Sequence, residues 1–347
     1  MWKYLKVRHK QLLVKPKEQG VALLTVLLVV AMATVLAVAM VKAQQALLQR
    51  SSSVFSQDQA YLYTLGAESI AKSVLQDDKE KDQNKTTPQD SLNESWAKKT
   101  PPFPVEGGMV QAHIDDLQGR FNLNDLSQED GQVNLVALTM FQRILTALEI
   151  SPALASPVVD WIDADNLPND SDGAEEDWYL RLKPAYRSAN RPFVSVSELS
   201  LLRGYTPEIV AKLSPYVSAL PIFTTINVNT ASAVVLTAMS DNMTLVMAKD
   251  LVEKRPAGGY GSVESFLEQP LFANLEPNLK QSMTKLLGVR SQFFSVSAEA
   301  EIDGRHRVLT SVIARDDSTT LRTISRDWSQ QWQVSVTNNS TLTKANF

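Results

Sequence analysis

Residues 21–41 read VALLTVLLVVAMATVLAVAMV, an apolar run without a charge, a glycine or a proline. As an α-helix rising about 1.5 Å per residue, the run spans roughly 30 Å, which is the thickness of the hydrocarbon core of a bilayer. Basic side chains precede it, and such groups stay on the cytoplasmic side of a membrane helix. The run therefore predicts one membrane-spanning helix that carries the C-terminal body across the membrane. The basic residues before it are Lys3, Lys6, Arg8, Lys10, Lys15 and Lys17.

Composition narrows the classes of protein that this chain can be. None of its 347 residues is cysteine, which excludes disulfides, zinc–thiolate sites and cysteine nucleophiles. Six basic groups and one acid in residues 1–20 leave a net charge of −9 for the remainder of a chain whose total is −4. An acidic body of this kind is not typical of a nucleic-acid-binding domain. A charged fraction of 21% also argues against several membrane spans.

Three interpretations of the apolar run compete. A cleaved secretory signal has a shorter apolar region of about 7–15 residues and a small-x-small cleavage site, so the run is too long. A plain signal anchor fits the hydropathy. The third interpretation depends on Gly20, which ends a basic Lys-Glu-Gln-Gly leader directly before the run. In this arrangement the chain resembles type IV prepilins and pseudopilins. The resemblance implies cytoplasmic cleavage between Gly20 and Val21 by a membrane prepilin peptidase, followed by methylation of the new N-terminus.

The fifth residue after this cleavage point departs from the usual pilin pattern. Most pilins carry Glu there, and it meets the N-terminal amine of a neighbouring subunit, since a carboxylate in hydrocarbon is costly unless it is paired. Here the position is Thr25. The lack of Glu at this position resembles the GspK family of minor pseudopilins of type II secretion.

The pattern after residue 41 indicates an α+β protein in which helices interrupt a small antiparallel sheet. Apolar spacing continues to about residue 75, so the membrane helix should extend into a long stem. Alternation at 110–117 predicts an early strand. Alternating runs around Asp303-Gly304, then a turn at Asp316-Asp317-Ser318 and a further run, predict late strands. The predicted divisions are a leader (1–20), a transmembrane and stem helix (21–78), loop and early strands of a pilin-like domain (79–125), an inserted all-α domain (126–290), C-terminal strands (291–330) and a tail (331–347).

A loop between residues 160 and 177 concentrates negative charge, with eight carboxylates in eighteen residues. Like charges at this density repel one another unless a cation or solvent relieves them. Oxygen ligands without a nearby His or Cys favour Ca²⁺ over zinc or copper. Gly173 would permit a sharp turn that brings Glu175 and Asp177 towards Asp163 and Asp165. The EF-hand pattern is not met, and a solvated acidic loop is the alternative interpretation.

The same loop strengthens the resemblance to the GspK family. That family carries an Asp-Trp-x-Asp-x-Asp stretch followed by Gly-Ala-Glu-Asp-like residues, in a region that binds calcium. This sequence has DWIDAD at 160–165 and GAEED at 173–177, in the same order. The resemblance therefore implies a structural calcium site. The candidate ligands are Asp160, Asp163, Asp165, Glu175 and Asp177.

The second half of the helical region resembles tandem SAM-like or helix-hairpin-helix units. Such units bind DNA phosphates through backbone N–H groups at a Gly-hydrophobic-Gly turn. The corresponding turn, Asn242-Met243-Thr244, has neither glycine. A weak echo upstream relates residues 191–199 to residues 259–266. We interpret both units as packing and protein-contact modules, with no nucleic-acid partner.

The sequence offers no recognisable catalytic constellation, so no enzyme activity is predicted. The resemblance implies a minor pseudopilin at the tip of the type II secretion pseudopilus, anchored in the bacterial inner membrane with a periplasmic body. Implied partners are GspI, GspJ and a GspH-like subunit, with the prepilin peptidase, while contact with secreted proteins stays open. Two alternatives remain. One is a signal-anchored periplasmic binding module for DNA without leader cleavage, and the other is a hydrolase that uses the acidic loop.

Overall fold

The structure is a computed structural model that describes residues 16–128, 131–273, 276–315 and 320–329. Backbone contacts divide the chain into two compact units, of which the first ends at Gln59 and the second begins at Ala60. Three predicted features lie outside the described residues, wholly or in large part: the leader up to residue 15, the Asp316-Asp317-Ser318 turn and the tail 331–347.

Helix α1 (Pro16–Asp82) contains the apolar run and continues far beyond it. Every side chain between residues 20 and 50 is exposed, and within the described residues this is the one helix long and apolar enough to cross a membrane. The sequence predicted that the stem helix ends at residue 78, which is wrong by four residues, because α1 ends at Asp82. Gln76 donates a hydrogen bond to Glu80 at 3.0 Å, and basic Lys79 and Lys81 suit the negative end of the helix dipole.

A five-stranded antiparallel sheet forms one part of the second unit, with spatial order β1-β2-β7-β8-β9. The predicted early strand and the late hairpin are both confirmed. At the hairpin, Asp303 and Gly304 have φ of 48° and 71°, the left-handed conformation that a tight two-residue turn requires. The strands are β1 (Phe103–Val105), β2 (Gly108–Asp116), β7 (Phe293–Ile302), β8 (Arg305–Ala314) and β9 (Arg322–Asp327).

The C-terminal turns of α1 pack on one face of this sheet. Trp96, from the loop after α1, lies edge-on to Phe294 with ring centroids 5.1 Å apart. Both rings are almost completely buried. Burial of apolar area is the dominant favourable contribution here, because alternate residues of each strand face the helix. The buried cluster consists of Ala71, Leu75, Trp96, Ile114, Phe294, Val296 and Ile313.

Short helices fill the segment between β2 and β7, but the prediction of an all-α insert beginning at residue 126 is wrong in two details. Strand β3 (Phe121–Asn122) pairs in parallel with β4 (Val217–Ser218), so the insert already includes Phe121. Strand β5 (Ile226–Asn227) pairs in parallel with β6 (Leu287–Gly288). The helices are α2 (Leu135–Ala147), α3 (Ser156–Ile162), α4 (Glu176–Tyr179), α5 (Pro207–Leu213), α6 (Ala233–Leu236), α7 (Leu245–Glu253), α8 (Val263–Leu267) and α9 (Pro277–Leu286).

The weak sequence echo within the insert corresponds to two equivalent helix starts. Ser195 caps a short 3-10 helix, Val196–Leu201, and Ser262 caps α8. In each case the serine accepts from a backbone N–H of the first turn, and the third residue of the turn reaches back to the serine N–H. Each capped turn places one buried side chain, Leu199 or Phe266, in the same hydrophobic core.

A buried polar junction connects the end of α1, the sheet and the insert. Arg315, at the end of β8, donates to Asp78 at 2.8 Å and also to Asp90. Asp116, at the end of β2, accepts from Ser291 at 2.6 Å and from Asn227 at 3.1 Å. These charged and polar groups are buried away from water, so each needs the hydrogen-bond partner that the junction provides.

Candidate metal centre

Helix α3 and the residue that follows it each contribute an acidic side chain. Asp160 lies within α3, and Asp163 is its C-cap, with extended backbone. Asp160 is fully buried, and Asp163, which ends the helix, is 7% exposed. The buried helix α3 and its C-cap therefore place two carboxylates where water has little access.

The loop after α3 closes over Asp160. Its two carboxylate oxygens accept from the backbone N–H of Asn169 at 2.9 Å and of Ala174 at 2.6 Å. Gly173 passes so close that an added Cβ would lie 2.2 Å from Asp160 Oδ2. Gly173 is therefore required for close approach, whereas the sequence suggested that it permits a sharp turn.

This close approach delivers a third carboxylate, Glu175. One oxygen from each of Asp160, Asp163 and Glu175 lies within 4.8 Å of the others, and all three residues are buried. Within the described residues, Asp163 Oδ1 and both carboxylate oxygens of Glu175 have no hydrogen-bond partner. Buried acceptors without donors are rare, and three buried carboxylates that converge are the geometry expected of a cation site.

The ionisation of these groups agrees with this geometry. Burial raises the pKa of Glu175 to about 8, and the charges of Asp160 and Asp163 add to the effect. Burial likewise raises the pKa of Asp163 to about 6, helped by Asp165 and Asp160. The pKa of Asp160 is also raised by burial, against two stabilising backbone hydrogen bonds. Three such carboxylates resist being charged together unless a cation binds between them.

The structure does not bring the other two candidate ligands into this cluster. Asp165 is exposed, and its side chain accepts from the backbone N–H of Leu167 at 2.7 Å. Asp177 is exposed in the first turn of α4. Asp165 still acts on the cluster through its charge, because it contributes to the raised pKa of Glu175 and Asp163.

Two residues that support the site were not singled out from the sequence. Asp170 accepts from Ser156 Oγ at 2.6 Å and from the N–H groups of Asp172 and Gly173, so it shapes the loop and does not face the cluster. Arg203 donates to the Gly173 carbonyl at 2.8 Å. Each is visible only in the fold, because a loop acid and a distant arginine carry no local pattern.

Three further predicted positions lie in the membrane helix. Gly20 and Val21 are both inside α1 and exposed. Thr25 donates its hydroxyl to the Ala22 carbonyl at 2.8 Å. The Thr25 side chain is therefore satisfied within its own helix and offers no carboxylate to a neighbour.

Two stretches of the chain, residues 119–222 and 226–290, match family models described as type II secretion system (T2SS), protein K. A protein from Pseudomonas aeruginosa named type II secretion system protein K is 36% identical over 90% of this chain and 93% of its own length. The chain belongs to the type II secretion system protein K family. A family member from Pectobacterium carotovorum is 35% identical over 83% of this chain and 90% of its own length.

The same likeness extends to a solved structure. This protein K family member matches a chain in the crystal structure of the GspK-GspI-GspJ complex from enterotoxigenic Escherichia coli. The TM-score is 0.73 and the sequence identity is 26%. The match covers 81% of the present chain and all of the chain in the complex. This protein K family member is accordingly a minor pseudopilin that acts in protein secretion, with a membrane-anchoring helix at its N-terminal end. The two matched stretches coincide with the segments that β3–β4 and β5–β6 close.

A second cluster of acidic side chains in this protein K family member is already paired with a lysine. Asp78, Asp82 and Glu94 also converge within 4.8 Å. The Lys85 ammonium lies 2.6 Å from Asp82 and 3.1 Å from Glu94. These contacts, with that to Asp82 the larger, raise the pKa of Lys85 above its ordinary value. Only the Asp160 cluster therefore lacks a positive partner among the described acidic groups of this kind.

Proposed function

We propose that this protein K family member occupies the tip of a short periplasmic pseudopilus, where it initiates or caps assembly and has no enzymatic activity. The observation that carries the proposal is its likeness to the GspK chain of a solved three-protein complex. Thr25 supports it, since its hydroxyl is bonded to its own helix and cannot pair with the amine of a subunit stacked above. The insert adds a steric argument, because it is large beside a pilin sheet.

The partners follow from the same likeness. The related complex joins GspK to GspI and GspJ, and we propose GspI-like and GspJ-like subunits here, with a GspH-like subunit below them. The other proposed partners are the prepilin peptidase and the inner membrane. The body of the protein lies in the periplasm. The predicted division of the chain into stem, pilin-like domain and insert, adjusted at Asp82 and Phe121, forms part of this proposal.

The helix-hairpin-helix relationship is also proposed, with packing in place of DNA binding. At the turn that replaces the phosphate-binding loop, Arg143 of α2 donates to Asp241 at 2.6 Å and to the Ala238 carbonyl at 2.8 Å. The turn is thus engaged by the preceding module. An exposed Asn242 stands where a glycine would permit close phosphate approach.

Processing of the leader provides the test of the filament proposal. We expect the protein extracted from membranes to begin at Val21 with a methylated amine when the prepilin peptidase is present, and at Met1 when it is absent. Gly20 lies inside α1, and a helical glycine costs about 1 kcal/mol relative to alanine, so the peptidase can unwind this turn at little expense. N-terminal sequencing and intact mass measure the outcome.

Two variants sharpen this measurement. Gly20→Val should block processing, whereas Gln19→Ala, one residue earlier, should leave it unchanged. A Met1 start in the unmodified protein with the peptidase present would remove the filament proposal and favour a simple membrane anchor.

We also propose that Asp160, Asp163 and Glu175 bind a structural Ca²⁺. The support is the convergence of three buried carboxylates, in which Asp163 Oδ1 and both oxygens of Glu175 lack donors. The ion would hold the loop across Gly173 against α3. Carboxylate oxygens in an irregular arrangement suit calcium better than magnesium, which demands a smaller and more regular shell.

Calcium should stabilise the full chain in detergent. At a concentration about 100 times the Kd, we expect about 2.7 kcal/mol of added stability, because an ion bound only by the folded state shifts the equilibrium by mass action. Thermal unfolding monitored by tryptophan fluorescence, with and without a chelator, measures this effect. Asp163→Asn and Glu175→Gln should abolish the response, while Asp165→Asn and Asp177→Asn, which lie outside the cluster, should retain most of it. An unfolding midpoint indifferent to chelation would refute the site.

A further inference from the structure

The peptide unit that joins Gly173 to Ala174 is held from both sides. Its N–H group, which belongs to Ala174, donates to Asp160 Oδ2 at 2.6 Å. Its carbonyl group, which belongs to Gly173, accepts from Arg203 Nη1 at 2.8 Å. Because the N–H and C=O groups of a trans peptide point in opposite directions, a single orientation of this unit makes both contacts. Arg203 therefore sets how the loop after α3 faces the buried carboxylate of Asp160.

The Arg203 side chain serves backbone carbonyl groups and does not neutralise an acid. The nitrogen that bonds to the Gly173 carbonyl also approaches the Asp172 carbonyl, at 3.5 Å. The central carbon of the guanidinium lies 5.9 Å from the centre of the Trp178 ring. Among the described residues, no carboxylate forms an ion pair with Arg203. The contacts of this guanidinium therefore act on the path of the backbone, and its charge polarises the peptide to which it bonds.

The turn that carries Arg203 is fastened to the start of α3. Gly204 has φ of 83°, and an added Cβ at this position would lie 2.5 Å from the Leu154 side chain. The Tyr205 hydroxyl donates to the Leu154 carbonyl at 2.9 Å. Leu154 belongs to the 3-10 turn that directly precedes α3. Arg203 therefore reaches the loop that follows α3 from a turn anchored at the opposite end of the same helix.

Without Arg203, the Gly173–Ala174 peptide would keep only its bond to Asp160 among the described residues. Gly173 has no Cβ, so rotation of the peptide that follows it meets little steric resistance. A rotated peptide would withdraw its N–H from Asp160 and turn the negative end of its dipole toward that carboxylate. Glu175 follows Ala174 directly and would move with it. The relative placement of Asp160 and Glu175 therefore depends on the orientation that Arg203 imposes.

We propose that Arg203 is a positioning residue for the cation site, and that it strengthens Ca²⁺ binding although it carries a positive charge itself. The inference rests on the calcium site proposed above. Charge alone gives the opposite expectation, because a nearby guanidinium repels Ca²⁺ and its removal should tighten binding by about two- to threefold. Loss of an outer partner that orients a metal site instead weakens binding, typically by about 10- to 100-fold. The direction of the change in affinity therefore separates the two effects.

Calorimetric titration of the full chain in detergent with Ca²⁺ measures this change. We expect Arg203→Met to bind Ca²⁺ about tenfold more weakly than the unmodified protein, or weaker still. Arg187→Met is the matched control, because Arg187 lies 3.1 Å from Glu176, at the end of the same loop, and its side chain is 79% exposed. This control removes the same charge without a change to the Gly173–Ala174 peptide. Its affinity for Ca²⁺ should be unchanged or slightly higher.

Arg203→Lys separates the positive charge from the geometry of the guanidinium. Lysine keeps the charge but replaces the planar group with a compact ammonium on a different stem. Its affinity for Ca²⁺ should fall between those of the unmodified protein and Arg203→Met, and it keeps the test decisive if Arg203→Met does not fold. The inference would be overturned if Arg203→Lys bound Ca²⁺ as tightly as the unmodified protein, or if Arg203→Met bound it equally or more tightly.

Hydrogen exchange in the presence of a chelator tests the positioning apart from calcium. Mass spectrometry of the fragment that contains Ala174 should show slow exchange of its N–H in the unmodified protein and in Arg187→Met, and faster exchange in Arg203→Met. Unchanged exchange in Arg203→Met would refute the role of Arg203. If the unmodified protein bound no Ca²⁺, the calcium proposal would fail and the effect on affinity with it. Normal Ca²⁺ binding by both the unmodified protein and Arg203→Met would instead refute this inference alone.

Discussion

We expect Arg315→Met to lower the free energy of unfolding by about 3–5 kcal/mol, because the substitution leaves two buried carboxylates without their counter-charge. Arg315 is 6% exposed and bonds to Asp78, to Asp90 and to the Ser291 carbonyl. Its guanidinium also lies 4.5 Å from the centre of the Phe294 ring. Although burial alone would lower the pKa of Arg315, Asp90 and Asp78 hold it above its ordinary value.

Urea unfolding of the full chain in detergent at pH 7.5 measures this loss. Lys254→Met is the control, since its pair with Asp250 is exposed and should contribute less than about 1 kcal/mol. Burial raises the pKa of Asp90 to about 7. The loss should therefore shrink at pH 6, where Asp90 can take up a proton. A loss below 1 kcal/mol at pH 7.5 would show that the buried polar junction does not depend on its cation.

The second large effect concerns Asp125, whose replacement by asparagine should stabilise the protein at high pH. Asp125 is 7% exposed, and burial raises its pKa to about 8 despite hydrogen bonds from Thr224 and Asn122. A carboxyl whose pKa is raised on folding contributes stability that is present at low pH and is lost as pH rises through the folded value. The unmodified protein should therefore lose stability from this group between about pH 4 and pH 8.

Asp125→Asn should remove this dependence. Oδ1 accepts both hydrogen bonds, so an asparagine oxygen can replace it. We expect the variant to exceed the unmodified protein by about 3–5 kcal/mol at pH 9 and to match it below about pH 4. Urea unfolding across this range gives the difference, with Glu268→Gln on the exposed end of α8 as the control. A difference that does not grow with pH would contradict the raised pKa.

The parts of the fold that could be predicted from the sequence are those with local signals. The hairpin at Asp303-Gly304 was predictable because two alternating runs flank a dipeptide that tolerates positive φ. The stem was predictable from uninterrupted helical spacing. The parallel pairs β3–β4 and β5–β6 were not, because two residues carry no periodicity and their partners lie far along the chain.

The candidate site divides in the same way. Asp160 and Asp163 were both named as candidate ligands from the sequence, and they meet at the end of α3. Glu175 joins them only because Gly173 lies against Asp160, a contact between segments thirteen residues apart. Asp177 has the same chemistry as Glu175, yet α4 directs it to solvent. Residue type therefore identified the loop, and only packing shows which of its carboxylates converge.

The paired ends of the two modules have a mechanical consequence. Strands β3 and β4 lie side by side, as do β5 and β6, at the spacing of about 4.8 Å that hydrogen-bonded neighbours share. Tension that enters a module at one strand can leave through the adjacent strand, so it crosses a few sheared hydrogen bonds and bypasses the helices between them. Each module is therefore attached to the main chain as a side branch, and tension along the main chain need not pass through its helices.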